Sequence, residues 1–444
     1  MTEKKTSYSC AVAESTTVTL PDVELFKKQA LQWANHFRVI CLLDSNGYAH
    51  DKYSSREWVL AIDALSEIRS DESLTGGKDF EKLKEFQQAA NAEIFGFLGY
   101  DLKNEIETLA SRNCDGLKFP ELYFFKPRYI IELKGNKVTV NRNYPETFEL
   151  LERLRAVNVE SHDPKAGLKL KARTGRDSYL ANIEKIKQQI VDGDFYEMNY
   201  CNEFYSEHAS IRPVETFLRL NEKAKAPFSC FFKLNHKFLL CASPERFLKR
   251  VGEKLISQPI KGTIKKGASA EENEALKANL KNDAKERAEN IMIVDLVRND
   301  LAHSSKPGSV KVEELCGVYE FNTVNQMIST VTSELEIDPV EAIKHAFPMG
   351  SMTGAPKIEV MKNIEAYEDF KRGLYSGSVG YFTASSDFDF NVVIRSIFYN
   401  SSDKYLSVRA GGAITYDSVA ENEWKEVLLK AQGMIDVLEA SIEE

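Results

Sequence analysis

Apolar and polar residues follow two periods along this chain. In "DSYLANIEKIKQQIVDGDFYEMNY", residues 177–200, apolar side chains fall at helical spacing. Asp177 or Ser178 can cap that helix, and the pattern stops near Gly193, before a strand. Short β-branched and aromatic runs such as "FRVICLLDS" and "KVTVNRNY" predict strands within 17–43 and 118–144. Further strands are predicted at 228–234, 237–242, 254–260, 378–383, 391–399 and 405–415. Helices are predicted near 80–112 and at 271–303, 338–347, 356–366 and 421–440. Residues 159–175, "ESHDPKAGLKLKARTGR", are polar, basic and turn-rich, and read as a linker between an N-terminal region, 1–158, and a second region, 176–444. Strands come in consecutive groups separated by turns, so the expected class is α+β rather than a parallel βαβ array.

Composition narrows the setting. A chain of 444 residues has room for two or three domains, and 43% apolar with 28% charged residues describes an ordinary globular protein. The net charge of −9 argues against a nucleic-acid partner. Seven cysteines are scattered without a C-x-x-C pair, which fits a reducing compartment and neither a disulfide framework nor a zinc site. The N-terminus has no apolar signal core, and no run reaches the roughly 18 apolar residues of a membrane span. A soluble cytoplasmic protein is expected.

Several motifs fail their chemical tests. "GSMTGAPK" (350–357) looks like a phosphate loop, but Ala355-Pro356 intervenes where Gly, Lys and Ser/Thr must be contiguous. "GLYSGSVG" spaces its glycines wrongly for a dinucleotide site. Neither H-E-x-x-H nor G-x-S-x-G occurs.

Two carboxylate pairs stand out. Glu286 and Glu289 in "KERAENIMIVDLVRND", and Glu423 and Glu426 in "ENEWKEVLLKA", are each three residues apart on a predicted helix and share a face. Such a face is often simply solvated. It also suits Mg2+, which takes one or two protein carboxylates and completes its shell with water and an anionic substrate. In "VRAGGAITYDS" (408–418), Gly411 and Gly412 permit close backbone approach to a ligand. Arg395, ending "FNVVIR", is placed to clamp a carboxylate or to face water. Lys261, before the Gly-Thr turn of "ISQPIKGTIKKG", is either a surface charge or a working amine.

Seven segments occur in one order: "SPERF" (243–247), "PIKGT" (259–263), "KERAENIMIVDLVRNDL" (285–301), "GSMTGAPK", "YSGSVGY" (375–381), "IRS" (394–396) and "AGGAITYDS" (410–418). Together they resemble the family of chorismate-utilising enzymes, over roughly 176–444. "LLDSNGY" (42–48) and "APFS" (226–229) extend the likeness more loosely, to a tryptophan pocket around Ser45, Pro227, Phe228 and Ser229. The resemblance implies largely antiparallel sheets packed as a sandwich with helices outside. It implies Mg2+ on Glu289 and Glu426, with Glu286 and Glu423 holding metal-bound water. Chorismate would meet Gly262, Thr263, Ser351, Tyr375, Arg395, Gly411, Gly412 and Glu197.

Position 261 separates neighbouring reactions. Family members that form anthranilate resemble "PIAGT" there, whereas those that form 4-amino-4-deoxychorismate commonly carry "PIKGT". The resemblance therefore implies that Lys261 attacks C2 of chorismate as the C4 hydroxyl leaves, after which ammonia attacks C4 and expels the lysine. Glu245 occupies the position of the general acid, and burial should raise its pKa. An ordinary lysine, with a pKa of about 10.4, leaves about one amine in 2,500 neutral at pH 7. Lowering that pKa to about 7.5 would cost about 4 kcal/mol, which burial and nearby positive charge can supply. Water-activating members carry a lysine where this chain has Glu197, and anthranilate-forming members a histidine where it has Gln326. Both departures favour amination that stops at 4-amino-4-deoxychorismate, on the route to p-aminobenzoate and folate. No cysteine lies in a glutaminase nucleophile elbow. A separate glutamine amidotransferase subunit is expected to supply ammonia. The rival expectations are anthranilate formation and a non-catalytic tryptophan- or chorismate-binding homologue.

Overall fold

The computed structural model describes residues 16–70, 78–141, 147–159 and 167–443. Strand Val39–Asp44, with sequence VICLLD, shows how the core is divided. Successive strand residues face opposite sides of a sheet. Val39 and Cys41 accordingly join one hydrophobic cluster, while Ile40 and Leu42 join another. Strands Phe228–Leu234 and Lys237–Ser243 split the same way, with Cys230, Phe232, Leu239 and Cys241 on one side and Phe231 and Leu240 on the other. Burial on both faces explains why these strands read as continuous apolar runs rather than alternating ones.

The first cluster is closed by helices Asp79–Ala90, Ala284–Ala302 and Pro339–Ala346, through residues such as Phe80, Ile293 and Ile343. The second lies under helices Val23–Ala34, Arg176–Asp192, Pro213–Ala224 and Ala420–Leu438. All named strand pairings among the described residues are antiparallel except Ala440–Ile442 with Leu168–Ala172. The structure is α+β, with one large and mostly antiparallel sheet. Pairing crosses the two regions of the sequence: Val39–Asp44 lies against Phe228–Leu234, and Ile94–Leu98 against Ser378–Phe382.

Five local expectations differ from the structure. The strand expected at 391–399 is two strands, Phe388–Asn391 and Ser396–Asn400, with Arg395 between them. Part of the stretch read as a linker, Leu168–Ala172, is a strand. The helix near 80–112 stops at Ala90, and Ile94–Leu98 is a fully buried strand. Helix Arg176–Asp192 starts after Gly175, so neither Asp177 nor Ser178 caps it, although Gly193 does end it in the left-handed region at φ 89°. The stretch 271–303 is two helices, Ala270–Asn282 and Ala284–Ala302. Asp283 separates them because its carboxylate accepts from the Glu286 amide at 2.9 Å, an N-cap that starts a new helix. Among the described residues no helix is long and apolar enough to cross a membrane.

Candidate active site

Lys261 lies on strand Ile260–Lys265, which pairs with Val324–Glu334. The register slips between Ile260 and Thr263, and Gly262 sits at φ +93°. Such an irregularity re-aims side chains, and only glycine takes that φ freely. Thr263 and Lys265 remain exposed. The Lys261 side chain turns inward, is 11% exposed, and donates from Nζ to Glu197 Oε1 at 2.7 Å. Glu197 opens strand Glu197–Ser206 and is 1% exposed. Its other oxygen, Oε2, is buried without a hydrogen-bond partner, as are Gln326 Oε1 and Ser351 Oγ.

This arrangement acts on the charge of Lys261 in two opposing ways. Burial does disfavour its charge, but the carboxylates of Glu197, Glu289 and Glu245 outweigh burial and hold the amine above the ordinary lysine value. Lys261 rests as a cation. Lys266 provides no counter-effect, because its amine is 2.7 Å from Glu320.

Glu245 lies between strands Lys237–Ser243 and Arg246–Val251. Its amide donates to Ser243 Oγ at 3.2 Å, and its carbonyl accepts from the Val392 amide at 3.0 Å, so the backbone is pinned. Burial pushes its carboxyl up to about 7, with the Ser351 hydroxyl, the Ile260 amide and Lys261 only partly offsetting that rise. This carboxyl can hold a proton at neutral pH, as a general acid must.

The two predicted carboxylate pairs converge. Glu286 and Glu289 lie on helix Ala284–Ala302, and Glu423 and Glu426 on helix Ala420–Leu438. A Cβ added at Gly262 would lie 3.1 Å from Glu286 Oε2, and one at Gly412 would lie 3.3 Å from Glu423 Oε2 and 3.5 Å from Glu426 Oε1. The two glycines let these carboxylates close on the strand ends. Burial, then Asp283 and more weakly Glu426, raise Glu286. Burial, with Glu197 and Glu286 adding to it, lifts Glu289 to about 7. Burial and Glu426 raise Glu423. Glu426 alone of the four is held low: burial is outweighed by Lys430, whose amine is 2.5 Å away. Among the described residues no three acidic, Cys or His side chains gather at metal-ligand spacing. These carboxylates, of which Glu423 is buried and the other three are partly buried, nevertheless fit a hard cation held by one or two of them.

Beside them is a cationic corner. Arg395, at φ +53°, has no carboxylate partner among the described residues, and its Nη1 donates only to the Lys430 carbonyl, at 3.3 Å. Burial holds its pKa below the usual value, with Tyr375 and Glu426 partly offsetting this. An unpaired guanidinium of this kind suits an incoming carboxylate. Tyr375 is buried, its hydroxyl 3.5 Å from Cys201 Sγ. Gly411 has a packing role as well: a Cβ there would meet Cys201 Sγ at 2.3 Å and Tyr200 O at 2.6 Å. Lys430 was not foreseen. Its amine also donates to the Gly411 carbonyl at 2.8 Å. Its position four residues after Glu426, on the same helix face, was a readable signal.

Ser351 lines a small cavity with Glu245 and Asp300. The lysine of "GSMTGAPK", Lys357, is committed to Asp300 at 2.7 Å, which docks helix Lys357–Tyr367 on helix Ala284–Ala302. Ser45, Pro227, Phe228 and Ser229 line a different cavity, along with Asp44, Arg56, Arg246 and Asp389.

The fold is that of a chorismate-utilising enzyme. The family model described as chorismate binding enzyme matches residues 40–436, and the chain belongs to that family. It is 34% identical over 366 residues to aminodeoxychorismate synthase component 1 of Bacillus subtilis (strain 168), covering 79% of this chain and 77% of that protein. It is 30% identical over 366 residues to anthranilate synthase component 1 of Cereibacter sphaeroides, covering 77% of this chain and 73% of that one. A solved structure of anthranilate synthase component I from Streptococcus pneumoniae TIGR4 superposes with a TM-score of 0.76 at 27% identity, over 85% of this chain and 91% of the other.

Proposed function

We propose that this chain converts chorismate and ammonia to 4-amino-4-deoxychorismate through a covalent link to Lys261. The observation that carries the reading is the inward-turned Lys261, in the field of Glu245, an acid protonated near neutrality. Lys261 attacks C2, and Glu245 gives its proton to the oxygen leaving C4. A hydroxide leaves far more readily as water, and proton donation of this kind typically contributes 10²–10⁴-fold, by order of magnitude. Arg395, Tyr375 and the Gly411–Gly412 backbone hold the enolpyruvyl carboxylate, while Gly262, Thr263 and Ser351 border the ring. Mg2+ would be held by Glu289 and Glu426, with Glu286 and Glu423 around its waters. When bound, it neutralises the ring carboxylate and orients the substrate.

The relative's designation as a component 1 supports a second subunit. A glutamine amidotransferase fits, since the chemistry consumes ammonia. Forming p-aminobenzoate from the product requires a further, lyase-type enzyme. The cavity at Ser45, Pro227, Phe228 and Ser229 would take tryptophan, with the Phe228 ring as an apolar wall.

Anthranilate formation is the second reading, because a relative of that name is nearly as similar. It requires a proton transfer as pyruvate leaves, and Gln326, buried opposite Thr263, carries an amide that does not titrate. Purified protein incubated with chorismate, Mg2+ and ammonium near neutral pH, with products separated by chromatography, tests the choice. 4-Amino-4-deoxychorismate is expected. Anthranilate with pyruvate would reject the reading in favour of the second, isochorismate in favour of the water-activating members of the family, and no turnover in favour of a non-catalytic homologue.

A further inference from the structure

The reading of Lys261 as nucleophile leaves one proton unassigned, and the structure offers a place for it. Lys261 rests as a cation, whereas attack on C2 needs a neutral amine. Three carboxylates act on it, and two have other tasks: Glu245 must keep its proton for the leaving oxygen, and Glu289 faces the cation site. Glu197 is the one hydrogen-bonded to Nζ, at 2.7 Å. Its position is fixed by its backbone, which pairs with Ala355 in the antiparallel ladder of Gly354–Ala355 with Glu197–Ser206. No other cation pairs with it among the described residues, and its Oε2 has no hydrogen-bond partner. A carboxylate accepts at both oxygens, so Glu197 has unused capacity for a proton.

We propose that Glu197 is the base that frees Lys261, taking a proton from Nζ onto its carboxylate as chorismate is engaged. The proposal rests on the covalent reading given above and adds a catalytic residue to it. Glu197 takes one proton from the Lys261 ammonium, and the nitrogen lone pair then bonds to C2. The two ring double bonds each shift by one position, the C4–O bond breaks, and the oxygen leaves as water with the Glu245 proton. Ammonia then bonds to C4, the double bonds shift back, and the C2–N bond breaks, releasing Lys261 as a neutral amine. Glu197 returns its proton to that amine. Glu245 is reloaded by the proton that an ammonium ion sheds on becoming ammonia. Atoms and charges balance with chorismate and ammonium as the only inputs.

The test follows the adduct rather than the product. The full chain is mixed with chorismate and Mg2+ without ammonia, and intact-protein mass spectrometry reads the rate at which a chorismate-derived adduct forms. Glu197→Gln preserves shape and hydrogen bonding, and is expected to slow adduct formation by about 10²–10⁴-fold. Glu197→Ala should be equally slow and should be accelerated by added formate, a small carboxylate that fits the vacated space. Adduct formation in Glu197→Gln as fast as in wild type, or faster because the lysine has lost its counter-charge, would overturn the proposal. So would an absence of formate rescue in Glu197→Ala. If the wild-type chain makes product with no adduct, the covalent reading itself fails and the proposal falls with it, an outcome distinct from the other two.

Discussion

Lys261 Nζ lies 2.7 Å from Glu197 Oε1, an ion pair between residues 64 positions apart, with side chains 11% and 1% exposed. Removing one member of a buried pair leaves an uncompensated charge, typically at a cost of about 3–5 kcal/mol, whereas removing both is often neutral. Lys261→Met should therefore destabilise the chain strongly, and Lys261→Met with Glu197→Gln should recover most of the loss. Denaturant midpoints of both variants check this; additive destabilisation would show that the pair is not coupled.

The buried acid sets a pH limit. Glu245 must be protonated to act, and its carboxyl is raised to about 7. Ammonia-free adduct formation should fall as pH rises through about 7, and Glu245→Gln should be slow at every pH. A wild-type rate that keeps rising to pH 9 would remove Glu245 from the role of acid.

The same group has a stability signature of predictable sign. Its folded pKa is above its unfolded value, so the unfolded chain ionises first as pH rises. Native stability from this group is full below about 4.5 and is lost on rising through about 7, by about 3 kcal/mol. Glu245→Gln should therefore raise the melting temperature at pH 8 and change it little at pH 4, the opposite of its effect on activity.

Four carboxylates, three of them pushed toward protonation by burial, should respond to a divalent cation. Mg2+ at about 100 times its Kd would stabilise the chain by about 2.7 kcal/mol. Thermal melts should rise with Mg2+, and Glu289→Gln or Glu426→Gln should abolish the rise. A wild-type melting temperature independent of Mg2+ would remove the metal from the site.

Arg395 has no carboxylate partner of its own among the described residues. Hydrogen bonds to charged groups contribute about 1.5–3 kcal/mol, so Arg395→Ala should raise KM for chorismate by about 10–100-fold. KM for ammonium should stay unchanged, since ammonia meets C4 rather than the carboxylate. Equal effects on both constants would indicate general disruption.

What the sequence made legible depended on range. Gly193 ends its helix as read, because a left-handed cap is a local property. The pairs Glu286–Glu289 and Glu423–Glu426 were legible because helical spacing sets a common face. Strand Ile94–Leu98 was not: burial on both faces erases the alternation that marks a strand. The break at Asp283 was also missed, since helical periodicity runs through the residues on both sides while the cap depends on a single hydrogen bond. The inward turn of Lys261 requires a register slip against a strand more than 60 residues away, and its charge depends on Glu197, brought in from another strand. Position and residue type were readable; protonation, which is set by contacts between distant segments, was not.

Peptide mapping of the wild-type chain tests the covalent account most directly. After incubation with chorismate and Mg2+ in the absence of ammonia, the protein is digested and the peptide bearing Lys261 is sequenced by mass spectrometry. The account predicts an adduct of chorismate less one water on Lys261, discharged as 4-amino-4-deoxychorismate when ammonium is added. An unmodified Lys261 in a chain that still forms that product on ammonium addition would contradict it.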